Sequence, residues 1–202
     1  MPDAAAPRSS RVAAVGAVTL GAAAAGPAIG VLWAQIAPAV HGAIALTHDG
    51  DRVQAYLGDE PEHFFVAPFL LLGLLGVWAV VVTALAWQWK AHRGPAMAAG
   101  LSVGLVAATA LAVLAGAQLM HRRYGAVDVD AAPVAPDHRV YYFAEAPPVF
   151  FGHTPLQVTA TLLLPAAVAA LAFALCATWT TRDDLGGYPP GITADGDASL
   201  RR

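Results

Sequence analysis

Four histidines in this sequence stand beside long apolar segments, where an imidazole could bind a metal or carry a proton. They are His41, His63, His121 and His153, and Glu62 directly precedes His63. Imidazole nitrogens and carboxylate oxygens are ligands for zinc and copper, and they also serve as general acids and bases. No HxxxH spacing fixes a coordination geometry. We expect a structural cluster without bound metal, with His63 and Glu62 hydrogen-bonded to loop groups.

A second group with chemical potential is aromatic and lies in the segment that precedes the last apolar run. These aromatics either fill the top of a helical bundle or form a docking patch for another membrane protein or a lipid, since exposed aromatic side chains mark binding surfaces. The group consists of Tyr141, Tyr142, Phe143, Phe150 and Phe151.

Four apolar runs must position these side chains. The chain has 202 residues, of which 57% are hydrophobic and 12% charged, and its mean hydropathy is +0.57. A bilayer crossing takes ~20 apolar residues. The composition predicts an all-α membrane protein with four transmembrane helices, a single membrane domain over residues 1–188 and a disordered cytoplasmic tail over residues 189–202. The predicted spans are residues 12–37, 64–87, 96–120 and 156–180.

The distribution of Lys and Arg predicts the orientation of the four spans. Seven basic residues lie in the N-terminal tail, the short middle loop and the C-terminal tail, against four in loops 38–63 and 121–155. Cytoplasmic segments carry the basic excess, so both termini are expected inside and both long loops outside the plasma membrane. Trp87, Trp89 and Trp179 then fall at the inner interface, and Trp33 near the outer one.

The two long loops are expected to form a small extracytoplasmic cap. In the first loop, apolar residues alternate on both sides of an Asp49-Gly50 turn, which is typical of a β-hairpin. Residues 140–143 of the other loop have the composition of a further short strand. The alternative is that both loops lie on the membrane surface without pairing.

Inside the spans, two GxxxG motifs predict close helix packing. Gly26 and Gly30 lie in the first span, and Gly100 and Gly104 in the third. Small residues at this spacing let helix backbones approach in lipid. In a chain so rich in Ala and Gly, the same motifs could also arise by chance.

The sequence lacks the residues on which most catalytic and transport mechanisms depend. None of the four spans contains Asp, Glu, Lys, Arg or His, which counts against a proton-driven pump. The sequence has no P-loop, HExxH, GxSxG or dinucleotide fingerprint, so we assign no catalytic residue and no cofactor. With a net charge of −3 and no basic stripe, nothing suggests a nucleic-acid partner, and we expect none.

Several loop phrases resemble a known family. They are YLGDEPEHFF, LAWQWKAHRGP, RYGAVD, APPVFFGHTPLQ and TRDDLGGY, and with them residues 12–188 resemble the actinobacterial and mycobacterial membrane proteins grouped as domain of unknown function 2567. The resemblance implies a four-span protein of the inner membrane. It implies no activity and no catalytic residues.

These observations favour a non-enzymatic accessory or scaffold protein of the cell envelope. Its expected partners are the lipid bilayer and another membrane protein or a second copy of itself. The alternative is a small transporter or sensor that binds an ion or lipid at the outer face. An envelope enzyme, with loop His, Asp and Glu residues as acid and base, is a third possibility.

The predicted orientation can be tested by fusing alkaline phosphatase at Gly50 and at Gly94. Because alkaline phosphatase is active only outside the cytoplasm, we expect activity at Gly50 and none at Gly94. Activity at Gly94 without activity at Gly50 would reverse the topology.

Overall fold

Four long helices and a three-stranded sheet make up the structure, a computed structural model that describes residues 9–58, 60–149 and 154–180 but not the side chain of Pro61. Short 3₁₀ turns, Glu60–Glu62 and Lys90–His92, precede the second and third helices. The expected tail over residues 189–202 lies outside the described residues. In chain order the elements are α1 Arg11–Ile36, β1 Val40–Leu46, β2 Arg52–Tyr56, α2 His63–Trp87, α3 Pro95–Tyr124, β3 Val140–Glu145 and α4 Pro155–Thr178.

All four helices are long and apolar enough to cross a membrane. They start and end within about two residues of the predicted runs, except that α3 continues four residues beyond residue 120. His121 therefore lies in the last turn of a helix rather than in a loop. Gly125, with φ of 82°, ends this helix because a left-handed residue cannot continue it, and its N–H donates to the His121 carbonyl.

The starts of α1 and α4 are fixed by side-chain caps. The Ser10 hydroxyl accepts a hydrogen bond from the Ala13 N–H at the start of α1. Thr154 and Gln157 form a reciprocal capping box at the start of α4. These caps satisfy N–H groups that have no partner within the helix.

The glycines predicted to mediate packing all lie where α1 crosses α3. On α1, a Cβ atom added at Gly26 or at Gly30 would collide with the carbonyl oxygen of Ala108 or Ala112, respectively. The two backbones are therefore in direct contact, and no residue larger than glycine fits at either position.

The same close approach is made from the α3 side. A Cβ at Gly104 would lie 2.6 Å from the Thr19 carbonyl oxygen, and one at Gly100 would lie 2.7 Å from Val15 Cγ1. The Thr19 hydroxyl also donates to the Gly100 carbonyl over 3.0 Å. The contact between α1 and α3 is the most extensive helix pairing of the bundle, and α4 closes it by packing on both α2 and α3.

Two tryptophans join α1 to α2. Trp33 is fully buried and packs on Gly116, and its indole N–H donates to the Ala67 carbonyl over 2.7 Å. Trp78 donates to the Ala22 carbonyl over 3.0 Å. Trp33 lies in the last turn of α1, where a carbonyl inside the bundle satisfies its polar group, and its place near the outer membrane interface stays a prediction.

Large apolar side chains cover the outward faces of the helices. Such extensive apolar exposure is unusual for a water-soluble monomer and is compatible with a membrane protein. Examples on the four helices are Leu20, Phe69, Val77, Leu114, Leu156 and Leu171.

One end of the bundle carries the sheet, in the order β2-β1-β3 with both pairs antiparallel. The predicted hairpin is confirmed as β1 and β2, and the further strand is confirmed as β3. The alternative of two unpaired loops is wrong, and the fold class is corrected from all-α to helical with a small β-sheet cap. Because α1 and α3 lead into the chain segments that contain β1 and β3, their close pairing brings these two strands together.

Replacing Gly30 with Leu should destabilise the protein, because the new side chain must push α1 away from α3. Overpacking of this kind costs ~1–3 kcal/mol. The control is Gly16→Leu on the same helix, where an added Cβ meets open space. We expect a lower unfolding temperature in detergent for Gly30→Leu than for Gly16→Leu. Equal unfolding temperatures would mean that the glycine contact is not needed.

Candidate functional site: the cap cleft

A cleft of about 830 Å³ lies between the sheet and the adjoining ends of α2 and α3, and we name it the cap cleft. This volume is in the range of small-molecule binding sites. The sheet contributes Gln54, Tyr56 and Glu145, α2 contributes Phe64 and Phe65, and α3 contributes Ala117, His121 and Tyr124.

Strand register determines which side chains of the sheet line the cap cleft. Tyr56 and Phe143 are both opposite Gly42 in the central strand, so the three residues share one face. A Cβ atom at Gly42 would collide with the Phe143 ring. The absence of a side chain at Gly42 therefore lets that ring lie across the middle of the sheet. The next pair along, Val40 and Glu145, places the carboxylate on the same face.

The polar part of the cap cleft is a short hydrogen-bonded chain. The Gln54 amide donates to the Tyr56 hydroxyl over 2.8 Å, and that hydroxyl donates to Glu145 Oε1 over 3.3 Å. Burial, with a further contribution from the negative charge of Glu145, raises the pKa of Tyr56 to about 12. Tyr56 is therefore a protonated donor at neutral pH.

Aromatic contacts hold the Tyr56 ring in place. It packs edge-to-face on Phe64, with ring centroids 4.7 Å apart, and on Phe143, with centroids 6.1 Å apart. Phe64 belongs to the first turn of α2, so this cluster fixes the sheet on the bundle. The cap cleft therefore has one rigid wall that combines aromatic rings with hydrogen-bonding groups.

The described histidines of the predicted cluster have different hydrogen-bond partners. His41 and Glu60 form a pair in which the carboxylate accepts from the His41 main-chain N–H over 2.6 Å and lies 2.9 Å from Nδ1. His63 Nδ1 lies 2.9 Å from the Ala39 carbonyl oxygen, as expected for a hydrogen bond to a loop group. Glu62 is exposed and makes no side-chain capping bond to α2. The acidic partner of His41 is thus Glu60, whereas Glu62 was the acidic residue predicted for the cluster.

Among the described members of that group, His121 alone lines the cap cleft. His153 lies outside the described residues. Within the described part of the chain, no three His, Cys, Asp or Glu side chains are placed to hold a metal ion together.

The candidate aromatics have different environments. Phe143 is buried with Ile44 and Ala132 beneath the loop that follows α3. Tyr141 and Tyr142 are exposed, Tyr142 the more so at 67%. Phe150 and Phe151 lie outside the described residues. One of the described aromatics therefore fills the cap, and the other two are exposed on opposite faces of the sheet.

The sequence matches the family model described as Protein of unknown function (DUF2567) over residues 22–187. The chain belongs to the DUF2567 family. Uncharacterized proteins of Mycobacterium tuberculosis (strain ATCC 25618 / H37Rv) and Mycobacterium bovis are each 54% identical to it over 171 residues, which is 84% of this chain and 89% of the relative. One from Mycobacterium leprae is 54% identical over 170 residues, 84% of this chain and 86% of the relative. No solved structure matches the chain.

Membership of the DUF2567 family assigns no functional residue, and sequence reasoning missed the polar centre of the cap cleft. Gln54, Tyr56 and Glu145 were not among the candidates. The alternation in RVQAY does place Gln54 and Tyr56 on one face of a strand. Only the pairing of β1 with β3, which joins segments about 100 residues apart, brings Glu145 to that face.

The pair of Glu60 and His41 makes the stability of the cap depend on pH. Hydrogen bonds from the main chain and side chain of His41 lower the pKa of Glu60 below its ordinary value of 4.5. A carboxylate whose pKa is lowered by folding stabilises the folded state at pH values above its ordinary pKa. This stabilisation is lost as the pH falls through the pKa of the folded state. Glu60→Gln should therefore reduce hydrogen-exchange protection of the sheet amides near neutral pH, and the difference from wild type should shrink as the pH is lowered below the ordinary pKa of 4.5.

The exposed neighbour Glu62 supplies the control for this experiment. Glu62→Gln should leave protection of the sheet unchanged across the same pH range. If the two variants behave alike, the Glu60 pair does not stabilise the cap.

Proposed function

We propose that this protein is a non-enzymatic accessory protein of the plasma membrane that binds a small ligand in the cap cleft. The observation that carries the proposal is the cleft itself, which joins an aromatic wall to a few convergent polar groups. Such a combination is typical of ligand sites. The proposal favours the binding or sensing alternative over a purely structural scaffold.

The proposed location and orientation rest on charge and composition. Four apolar helices support a multi-pass membrane protein, and the Lys and Arg distribution supports cytoplasmic termini. With that orientation, the sheet and the cap cleft lie on the extracytoplasmic side at the membrane surface. A ligand would then reach the site from the outer aqueous phase or from the outer leaflet.

The polar groups of the cap cleft suit binding better than catalysis. Tyr56 is a protonated phenol with its pKa raised to about 12, so it is a poor base near neutral pH. Its hydroxyl donates a hydrogen bond to the Glu145 carboxylate. We therefore propose that the site holds its ligand without transforming it.

A second candidate function is docking of another protein on the opposite face of the sheet. Val53 and Val140 are both opposite Ala45, and Ala43 is opposite Tyr142. Val53, Val140 and Tyr142 are 49%, 47% and 67% exposed. Exposed apolar sheet surface of this kind favours a protein contact, as an accessory subunit or a homo-oligomer would make.

Filling the cap cleft should displace its ligand. Ala117 lines the cleft, so Ala117→Trp places an indole where the ligand would lie. We expect native mass spectrometry of protein extracted from its own membrane to find one small-molecule adduct on wild type and none on Ala117→Trp.

Leu114→Trp is the matched control, because Leu114 belongs to the same helix and is 65% exposed. It should retain the adduct. If wild type carries no adduct, or if Ala117→Trp keeps it, the cap cleft is not the ligand site. A stoichiometric protein partner in place of an adduct would favour the second candidate.

A further inference from the structure

A second cleft, of about 310 Å³, lies between the last turns of α1 and α3, and we name it the arginine cleft. Gln35 lines it from α1, and Arg122 and Arg123 line it from α3. These three side chains are exposed, whereas the apolar lining residues Ala34 and Met120 are buried. The arginine cleft therefore combines a polar rim with an apolar floor.

The rim of the arginine cleft carries a net positive charge. Among the residues that the structure describes, no carboxylate forms an ion pair with Arg122 or Arg123. The C-terminal ends of α1 and α3 carry a partial charge of about −0.5 each, so together they offset about half of the two guanidinium charges. The remaining positive charge favours a bound anion.

An aromatic ring holds one of the two guanidinium groups in place. Arg123 Cζ lies 5.4 Å from the centroid of the Tyr124 ring, which is a cation–π distance. Tyr124 also lines the cap cleft, so the two clefts adjoin at this contact. A guanidinium group is planar and its N–H donors lie in that plane, so an arginine held over a ring still donates to phosphate oxygens.

The arginine cleft lies at the depth of phospholipid head groups. With 26 and 30 residues, α1 and α3 are longer than the ~20 residues that cross the hydrocarbon core, and the cleft is at their ends. Val31 and Leu32 precede Gln35 by one turn on the same face of α1, and they are 45% and 49% exposed. They extend an apolar surface from the cleft toward the centre of the membrane.

We propose that the arginine cleft binds the phosphate group of one anionic phospholipid. Arg122 and Arg123 donate to the phosphate oxygens, because the paired N–H donors of a guanidinium group match phosphate geometry, and the Gln35 amide donates a further hydrogen bond. One acyl chain lies against Val31 and Leu32. With the proposed orientation of the helices, this lipid belongs to the outer leaflet. Its site is distinct from the ligand site proposed in the cap cleft.

The choice of lipid tests the charge of the head group. Purified protein in a polyoxyethylene detergent, which carries neither charge nor phosphate, is mixed in turn with phosphatidylglycerol, phosphatidylcholine and diacylglycerol of the same chain length. Native mass spectrometry measures the bound fraction. We expect phosphatidylglycerol to bind about tenfold more tightly than phosphatidylcholine, whose choline cation the arginines repel, and diacylglycerol to bind most weakly.

A head group without acyl chains distinguishes a lipid from a soluble phosphate. Glycerophosphoglycerol is the head of phosphatidylglycerol with both chains removed, and it is added as a competitor. We expect it to bind at least about tenfold more weakly than the intact lipid, because it leaves the apolar surface of α1 uncovered. Equal binding of the two would mean that the arginine cleft takes a soluble anion.

A double substitution tests the two arginines. Arg122→Gln with Arg123→Gln should lower the affinity for phosphatidylglycerol at least about tenfold, as expected for lost hydrogen bonds between charged groups, and should abolish its preference over phosphatidylcholine. The matched control is Arg52→Gln with Arg139→Gln, which removes the same charge from exposed positions in the cap. The control should leave lipid binding unchanged. Arginines that only stabilise the end of α3 would alter the unfolding temperature but not the lipid preference.

Ala117→Trp separates this site from the cap cleft. It fills the cap cleft and should keep phosphatidylglycerol, which native mass spectrometry identifies by its mass. Loss of phosphatidylglycerol from Ala117→Trp would place the lipid in the cap cleft and overturn the inference. Equal binding of phosphatidylglycerol and phosphatidylcholine, equal binding of the chain-free head, or equal effects of the two double substitutions would overturn it as well.

Discussion

The backbone contact between α1 and α3 is the constraint on which the rest of the structure depends. Apolar burial gives little drive for helix association in lipid, so close van der Waals packing of small residues must supply it. Gly26 and Gly30 let α1 contact the carbonyl groups of Ala108 and Ala112. On α3, Gly104 lets that helix contact the backbone of α1 at Thr19. The remaining helices then close around this pair, with α4 on α3 and α2.

The position of the cap depends on the contact between α1 and α3. Since α1 ends at Ile36 and β1 begins at Val40, the position of the C-terminal end of α1 determines where the central strand begins. The chain that leaves α3 returns as β3 on one side of β1, and β2 pairs on the other side. The cap cleft is the space left between this sheet and the ends of α2 and α3. Its aromatic wall is also the contact that joins the sheet to α2, so the same residues line the cleft and support the cap.

Sequence reasoning predicted the parts of the fold that depend on local pattern. The four helices follow from run length and hydrophobicity, and the hairpin from alternation around Asp49-Gly50. The extra turn of α3 was missed because His121 and the two arginines after it interrupt the apolar run, although a helix end tolerates basic residues. The burial of Trp33 was not predicted, because its hydrogen bond to Ala67 depends on the packing of α1 against α2. The site was largely missed for the same reason, since Glu145 and Tyr56 meet only through a non-local strand pairing.

The proposed function requires that a small ligand occupy the cap cleft. An electron cryomicroscopy map of the protein in discs of its own membrane, with an antibody fragment bound for size, tests this most directly. We predict non-protein density in the cap cleft, between Tyr56 on the sheet and Ala117 on α3. A cap cleft that is empty, or that is filled by protein chain, would contradict the proposal.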